Sequence, residues 1–171
     1  MSCKKIIPFI NTEGEINDNV IKIANKYSNG GADELLIYNF SKDEDSREEF
    51  LKLAKKVARI IDIPFIIGCN ANTFDGASGF LIQYSLLNKA ELIKEISARF
   101  GTSKIYLAIN QEEFMDDKNI YDKCQALGIG NLVINHEKSS ETFIKKVDKS
   151  PISVIIRDDL RSIDMASFYK L

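Results

Sequence analysis

The chain has 171 residues and a mass of 19.3 kDa, 44% of its residues are hydrophobic, and its formal net charge at pH 7 is -2. This apolar fraction excludes a disordered chain, and no apolar run approaches the roughly 18 residues of a membrane span. The 23 basic and 25 acidic residues leave no excess of positive charge that would favour binding to nucleic acid. We therefore expect one globular domain over residues 1–171 that binds neither nucleic acid nor a membrane.

Along the chain, short apolar strands alternate with amphipathic helices. The first half predicts, in order, a strand KKIIPFIN, a helix at 18–28 that stops at Gly30, a strand DELLIYNF, a helix at 46–61 and a strand IPFIIG. Asp45 or Ser46 is the predicted N-cap of the second helix. Residues 69–88 are rich in turn formers, and GFLIQYS within them fits either a strand or a turn of buried helix.

The second half continues the alternation. It predicts a helix at 92–100 ended by Gly101, a strand KIYLAIN, a helix at 120–127 ended by Gly128, a strand NLVIN, a helix at 141–148, a strand SPISVII and one more helix in the tail. Such alternation is typical of a parallel sheet covered by helices, either closed as a barrel or open. Because a complete barrel of eight units needs roughly 200 to 250 residues, we predict an α/β fold with six or seven parallel strands, a TIM-barrel-like sheet that is shortened or incomplete. The alternation of elements does not decide whether this sheet closes or stays open.

The amino terminus and the cysteines predict a cytoplasmic protein without a metal or a cofactor. The start, MSCKKIIPFI, has no cleavage site after its short apolar run. Cys3, Cys69 and Cys124 are odd in number and widely spaced, which favours free buried thiols over a disulfide or a zinc site. His136 is the only histidine, so a metal cage of several histidines is excluded.

Four segments resemble, in order, the βα units of the histidine-biosynthesis barrel family: KKIIPFIN, GGADELLIYNFS, DIPFIIG and AELIKEISARFGTSKIYLAIN. The resemblance is to the cyclase subunit of imidazole glycerol phosphate synthase, whose pattern is RIIPCLDV, GADEL, IPxxxGGG and LIxxxxxxFG before a strand ending in AID. A closer similarity is to the diverged cyclase-like domain ahead of the phosphoribosyl-AMP cyclohydrolase and phosphoribosyl-ATP pyrophosphatase domains in clostridial bifunctional proteins. There the third strand ends in GGN and the domain ends in SxxDMxxFxK, matched here by Gly68-Cys69-Asn70 and residues 162–170.

The resemblance implies where the catalytic residues would lie. In the cyclase family two aspartates after the first and fifth strands perform the acid–base chemistry of ring closure, and ammonia arrives through the barrel. Those positions are Asn11 and Asn110 here, and the aspartate of the second strand is Asn39. An amide cannot take up and return a proton at neutral pH as a carboxylate can. These changes predict an active site that has lost its chemistry.

The phosphate-binding loops of the family are also altered. The first glycine-rich loop keeps Gly68 but continues with Cys69 and Asn70, and the loops after the sixth and seventh strands align with residues 137–139 and 156–158. Asp158 and Asp159 would repel a phosphate, which Arg157 and Arg161 would partly offset. The link between the third and fourth strands is about one helix short, and the eighth unit is missing.

Four asparagines therefore follow predicted strands and would meet at one mouth of the sheet: Asn11, Asn39, Asn70 and Asn110. Two interpretations stay open, a polar pocket that binds a phosphoribosyl-type molecule through Asn39, Gly68, Asn70 and Arg157, or asparagines that only form turns. Phe74, Phe80 and Tyr84 are likewise either core residues or an exposed docking patch.

We expect a non-catalytic structural, partner-binding or regulatory domain that forms a homo-oligomer or a complex with a partner protein. The alternatives are a weak ammonia-dependent cyclase, that is a lyase, and a module that binds a small phosphate ester.

Overall fold

The computed structural model describes residues 5–68 and 76–158. Seven strands form one sheet in which every neighbouring pair is parallel and the spatial order equals the chain order. The strands are β1 (Phe9–Asn11), β2 (Leu35–Tyr38), β3 (Phe65–Gly68), β4 (Gly79–Gln83), β5 (Ile105–Asn110), β6 (Asn131–His136) and β7 (Ser153–Asp158). The sheet curls into an open half-barrel, and within the described residues β1 and β7 pair with no other strand at their outer edges.

In the described part of the chain, six α-helices connect and cover these strands. They are α1 (Asn17–Asn29), α2 (Glu44–Ile60), α3 (Ala90–Phe100), α4 (Gln111–Asp116), α5 (Ile120–Leu127) and α6 (Glu141–Asp148). Short 3-10 turns follow β4 at Tyr84–Asn88 and precede β5 at Thr102–Lys104. No helix in the described part of the chain is long and apolar enough to cross a bilayer.

Alternation along each strand sorts the apolar side chains into two cores. In β5, for example, Ile105, Leu107 and Ile109 are buried against the helices, as strands with period two require. Tyr106 and Ala108 point to the other, concave face, where a smaller cluster forms around buried Leu36, Ile66, Leu81 and Val133. The larger core therefore lies between sheet and helices, and the concave face is only partly filled.

The structure confirms the predicted α/β class, and the described residues contain seven strands. GFLIQYS divides into β4 and the 3-10 turn that follows it, and Phe80 is buried in the larger core. The N-cap prediction for α2 was wrong, because Asp43 rather than Asp45 or Ser46 caps the helix and accepts a hydrogen bond from the Ser46 N–H at 2.8 Å. The predicted tail helix, Phe74 and the other cysteines, Cys3 and Cys69, lie outside the described residues.

Candidate functional site

A cavity of about 260 Å³ lies on the concave face, at the carboxyl ends of the strands. Parallel α/β sheets bind their ligands at this edge. Its walls combine aromatic rings from β1 and β2, amide side chains from later strands and one arginine from β7. The residues that matter for its chemistry are Phe9, Tyr38, Asn110, Glu113, Asn135 and Arg157.

Asn11 and Asn110 are the last residues of β1 and β5, and both side-chain oxygens accept hydrogen bonds from nearby backbone. Asn11 Oδ1 accepts from the Glu13 N–H at 3.1 Å. Asn110 Oδ1 accepts from the Glu113 N–H at 2.8 Å, while Glu113 Oε2 accepts from the Asn110 N–H at 3.1 Å, a reciprocal capping box that starts α4. Asn110 lines the cavity, but Asn11 is not among the described residues that do.

Asn39 is buried and turned toward the start of α2 rather than into the cavity. Its Nδ2 donates to Ser46 Oγ at 3.1 Å, and its Oδ1 accepts from the Ser41 N–H at 2.9 Å. These bonds satisfy a polar group that is only 4% exposed. The side chain thus fixes the turn between β2 and α2, and its role as a ligand residue stays a prediction.

Gly68 ends β3 and lies beneath two aromatic side chains of the concave face. A Cβ built on it would be 2.7 Å from Tyr38 Cβ and 3.2 Å from Phe40 Cζ. The absence of a side chain therefore lets β2 and β3 approach closely under the cavity wall. Asn70, the other predicted residue of this loop, lies outside the described residues.

Arg157 reaches from β7 across the open side of the half-barrel. Its Nη2 donates to Tyr38 Oη at 3.1 Å, and its guanidinium carbon lies 5.0 Å from the centre of the Phe9 ring and 5.4 Å from that of Tyr38. Such distances are those of cation–π contacts. One side chain thus joins β7 to β2 and β1 where no backbone pairing does so among the described residues.

Gln111, which the sequence analysis did not single out, is hydrogen-bonded to the loop after β6. Its Oε1 accepts hydrogen bonds from the backbone N–H groups of Glu137 and Lys138, at 2.8 and 3.0 Å, and its Nε2 donates to the Lys138 carbonyl at 2.6 Å. This loop after β6 aligns with one that binds phosphate in the resembling cyclases. Two of its N–H groups, which could otherwise face an anion, are thus bound to a side chain of the same protein.

Most titratable groups with shifted pKa values lie outside the described cavity lining, and Tyr84, whose pKa is raised by burial, is the exception. Burial raises the pKa of Asp117, but hydrogen bonds from Lys123 and Tyr84 outweigh this and hold it below its usual value. Burial raises the pKa of the Cys124 thiol to about 12, so this cysteine is inert at neutral pH. Within the described ranges no group of three His, Cys, Asp or Glu side chains is placed to hold a metal ion.

Glu113 supplies the one carboxylate of the cavity lining within residues 5–68 and 76–158. A carboxylate is a candidate general acid or base when it faces a ligand, and sequence reasoning also missed this residue. The signal was present, since an asparagine followed by glutamate three positions later is the pattern of a capping box.

A sequence model of the histidine biosynthesis protein family matches residues 8–162. The chain is also similar to curated proteins named imidazole glycerol phosphate synthase subunit HisF. With that of Oceanobacillus iheyensis it is 27% identical over 172 residues, covering 79% of this chain and 68% of the relative. With that of Psychromonas ingrahamii it is 26% identical over 176 residues, covering 91% and 68%, and with that of Francisella philomiragia 22% over 191 residues, covering 100% and 73%.

The family match covers nine-tenths of the chain's length and every described strand. The chain therefore belongs to the histidine biosynthesis protein family.

Proposed function

We propose that this chain is a member of the family that has lost ring-closing chemistry and acts as a structural, partner-binding or regulatory domain linked to histidine biosynthesis. One observation carries the proposal. Asn11 and Asn110, at the positions of the resembling cyclases' two aspartates, are amides whose oxygens accept backbone hydrogen bonds. They cannot exchange protons with a substrate at neutral pH.

The loop after β6 supports the same conclusion from a second direction. A phosphate at this loop would have to displace the Gln111 oxygen from both the Glu137 and Lys138 N–H groups. Each such hydrogen bond contributes about 1 kcal/mol net. The phosphate would also have to lose part of its hydration shell, which costs further free energy. We therefore infer that this loop does not bind a substrate phosphate as the corresponding loop of the cyclases does.

A partner-binding role is supported by apolar surface at both ends of the sheet. Beside β1, the flank of α1 exposes Ile16, Ile23 and Tyr27, with Ile16 68% exposed. At the other end Ile144 of α6 and Ile156 of β7 are exposed. Since the relatives are each named a subunit of a synthase, we propose that this chain too assembles, with itself or with a partner. Light scattering at high concentration tests this, and a monodisperse monomer of the isolated chain argues against self-association.

The test of lost chemistry is an assay of imidazole glycerol phosphate formation from the cyclase substrate and ammonia. The Oceanobacillus relative is the positive control, and we expect no product above background from the wild-type chain. The double variant Asn11→Asp with Asn110→Asp restores both carboxylates and preserves the cap of α4, so it asks whether these two positions alone are missing. Product formed by the wild-type protein would overturn the proposal.

The second candidate, a weak ammonia-dependent cyclase, is favoured only by the carboxylate of Glu113 in the cavity wall. If wild-type turnover is found, Glu113→Gln should abolish it, because the amide cannot transfer a proton. Glu112→Gln is the matched control. Glu112 precedes Glu113 in the chain, but its side chain is exposed and is not part of the described cavity lining.

A further inference from the structure

We propose that two copies of this chain associate through the outer face of α1 and α2, the side of both helices that points away from the sheet. This inference rests on the assembly proposed above and deepens it by naming the partner and the face. The helices pack side by side, and Ser28 Oγ of α1 accepts a hydrogen bond from the Asp62 N–H, just after α2, at 3.3 Å. Because each helix connects two neighbouring parallel strands, α1 and α2 run in the same direction.

Charges of opposite sign occupy opposite ends of this face. The acidic end, at the start of both helices, exposes Glu15, Asp18, Glu44, Asp45, Glu48 and Glu49. The basic end, toward the end of both helices, exposes Lys22, Lys26, Lys52, Lys55, Lys56 and Arg59. The exceptions are Lys42 and Arg47 near the acidic end and Asp33 and Asp62 near the basic end. They are too few to cancel the charge of either end.

The pattern lies on the exposed side of α2 and is not required by the helix itself. The buried residues of α2 are Phe50, Leu53, Ala54 and Val57. Lys52, Lys55 and Arg59 follow one another at intervals of three and four residues, so they form a stripe on the opposite side. Interaction with the helix dipole favours charges only in the first and last turns. Lys52 lies in the middle of α2, so the helix dipole does not explain its position.

This distribution of charge is complementary to itself. In a two-fold symmetric dimer the same surface of both copies meets, and each contact occurs twice. When two such faces pack with their helices antiparallel, the basic end of each copy lies against the acidic end of the other. A partner with a uniformly acidic surface would attract the basic end but repel the acidic one. A second copy of the chain therefore fits the whole face.

The face also offers apolar contact, but its area is small. Ile60 of α2 is 41% exposed, and Ile23 and Tyr27 on the flank of α1 are each 39% exposed. Two neighbouring helices of these lengths present a footprint of about 20 Å by 20 Å, or about 400 Å². Stable interfaces bury about 800 Å² per partner. We therefore expect a weak dimer with a Kd of roughly micromolar size that depends strongly on salt.

Sedimentation velocity of the full chain over a concentration series tests the proposal. We expect a dimer at an ionic strength of about 0.01 M, where the Debye length is about 30 Å, and a Kd about tenfold or more higher at 0.15 M, where it is about 8 Å. Lys52→Glu with Lys55→Glu, or Glu48→Lys with Glu49→Lys, places like charges opposite each other. Each double variant alone should dimerise at least about tenfold more weakly than wild type.

Mixing the two double variants provides the decisive measurement. In the mixed dimer every contact again joins opposite charges, so an equimolar mixture should restore dimers with about the wild-type Kd. One variant carrying all four substitutions exchanges the two ends and should likewise dimerise alone. Lys118→Glu with Lys149→Glu is the matched control, because it makes the same change in net charge at two exposed residues outside this face. This control should dimerise as wild type does.

Three outcomes would overturn the proposal. They are a monomeric wild type at low ionic strength, a dimer that both double variants retain, and a failure of the mixture and of the fourfold variant to restore dimers. A dimer retained in both double variants would refute this face and leave self-association intact. The loss of ring-closing chemistry is tested separately by the ammonia assay, so the two proposals fail independently.

Discussion

Replacing Gly68 by alanine should destabilise the sheet where β2 and β3 pair. Tyr38 and Gly68 are direct partners in the parallel register. The added Cβ would lie 2.7 Å from Tyr38 Cβ, 3.2 Å from Phe40 Cζ and 3.3 Å from Leu81 Cδ2, all shorter than ordinary van der Waals contact. The closest of these atoms is attached directly to the backbone, so it cannot rotate away and the two strands themselves must move apart.

The size of the effect follows from this crowding. Overpacking of a well-packed site typically costs 1 to 3 kcal/mol, and in proteins of this length each kcal/mol lowers Tm by roughly 2 to 4 °C. We therefore expect Gly68→Ala to lose about 2 kcal/mol and about 6 °C in Tm. Because the displaced residue is Tyr38, the acceptor for Arg157, the same variant should also alter any binding in the concave cavity.

Thermal unfolding followed by circular dichroism measures the change, with Gly14→Asn as the control. Gly14 has φ of +73°, and no atom lies within 4 Å of the position that a Cβ would take there. Asparagine tolerates this left-handed conformation, so the control should stay within about 0.5 kcal/mol of wild type. A Tm for Gly68→Ala equal to that of wild type would refute the close approach of β2 and β3.

Two further predictions concern the residues around α4. Asn110→Ala should cost about 1 kcal/mol by removing the cap, whereas Asn110→Asp should not, because its carboxylate accepts from the same Glu113 N–H; equal losses in urea unfolding would contradict the capping box. The folded-state pKa of Asp117 lies below the unfolded value of 3.8, so its charge contributes stability above that pH, which is lost as the pH falls through the folded pKa. Asp117→Asn should therefore be less stable than wild type at pH 7, with a gap that narrows below about pH 4, and a gap that stays constant from pH 7 to pH 3 would argue against it.

Most helices and strands could be predicted from the sequence because apolar periodicity, N-caps and terminal glycines lie within the element itself or next to it. Helices α5 and α6 have the predicted bounds, since Gly128 adopts the left-handed conformation that ends α5 and Ser140 caps α6. Helix α4 was missed because it has only six residues and presents no repeating apolar face. Whether the sheet would close could not be read from alternation, which sets strand direction but not curvature.

The site was harder to predict because its contacts join distant parts of the chain. Arg157 and Tyr38 are 119 positions apart, and Gln111 contacts a loop 26 residues later. The periodic patterns that predict helices and strands do not indicate which residues distant in the chain will be in contact. Conversely, Asn39 was predicted from its place after a strand, but that place does not show which way a side chain turns, and here it turns toward Ser46.

The agreement between sheet order and chain order has a consequence for how the protein is made. Each strand pairs with the one synthesised just before it, so as the chain leaves the ribosome every new unit finds its neighbour already in place. Each strand can therefore pair as soon as it is synthesised. Contacts between strands form without first closing long loops, which would cost conformational entropy. Within the described residues β1 and β7 do not pair, so this part of the sheet forms without the long-range contact between first and last strand that a closed barrel requires.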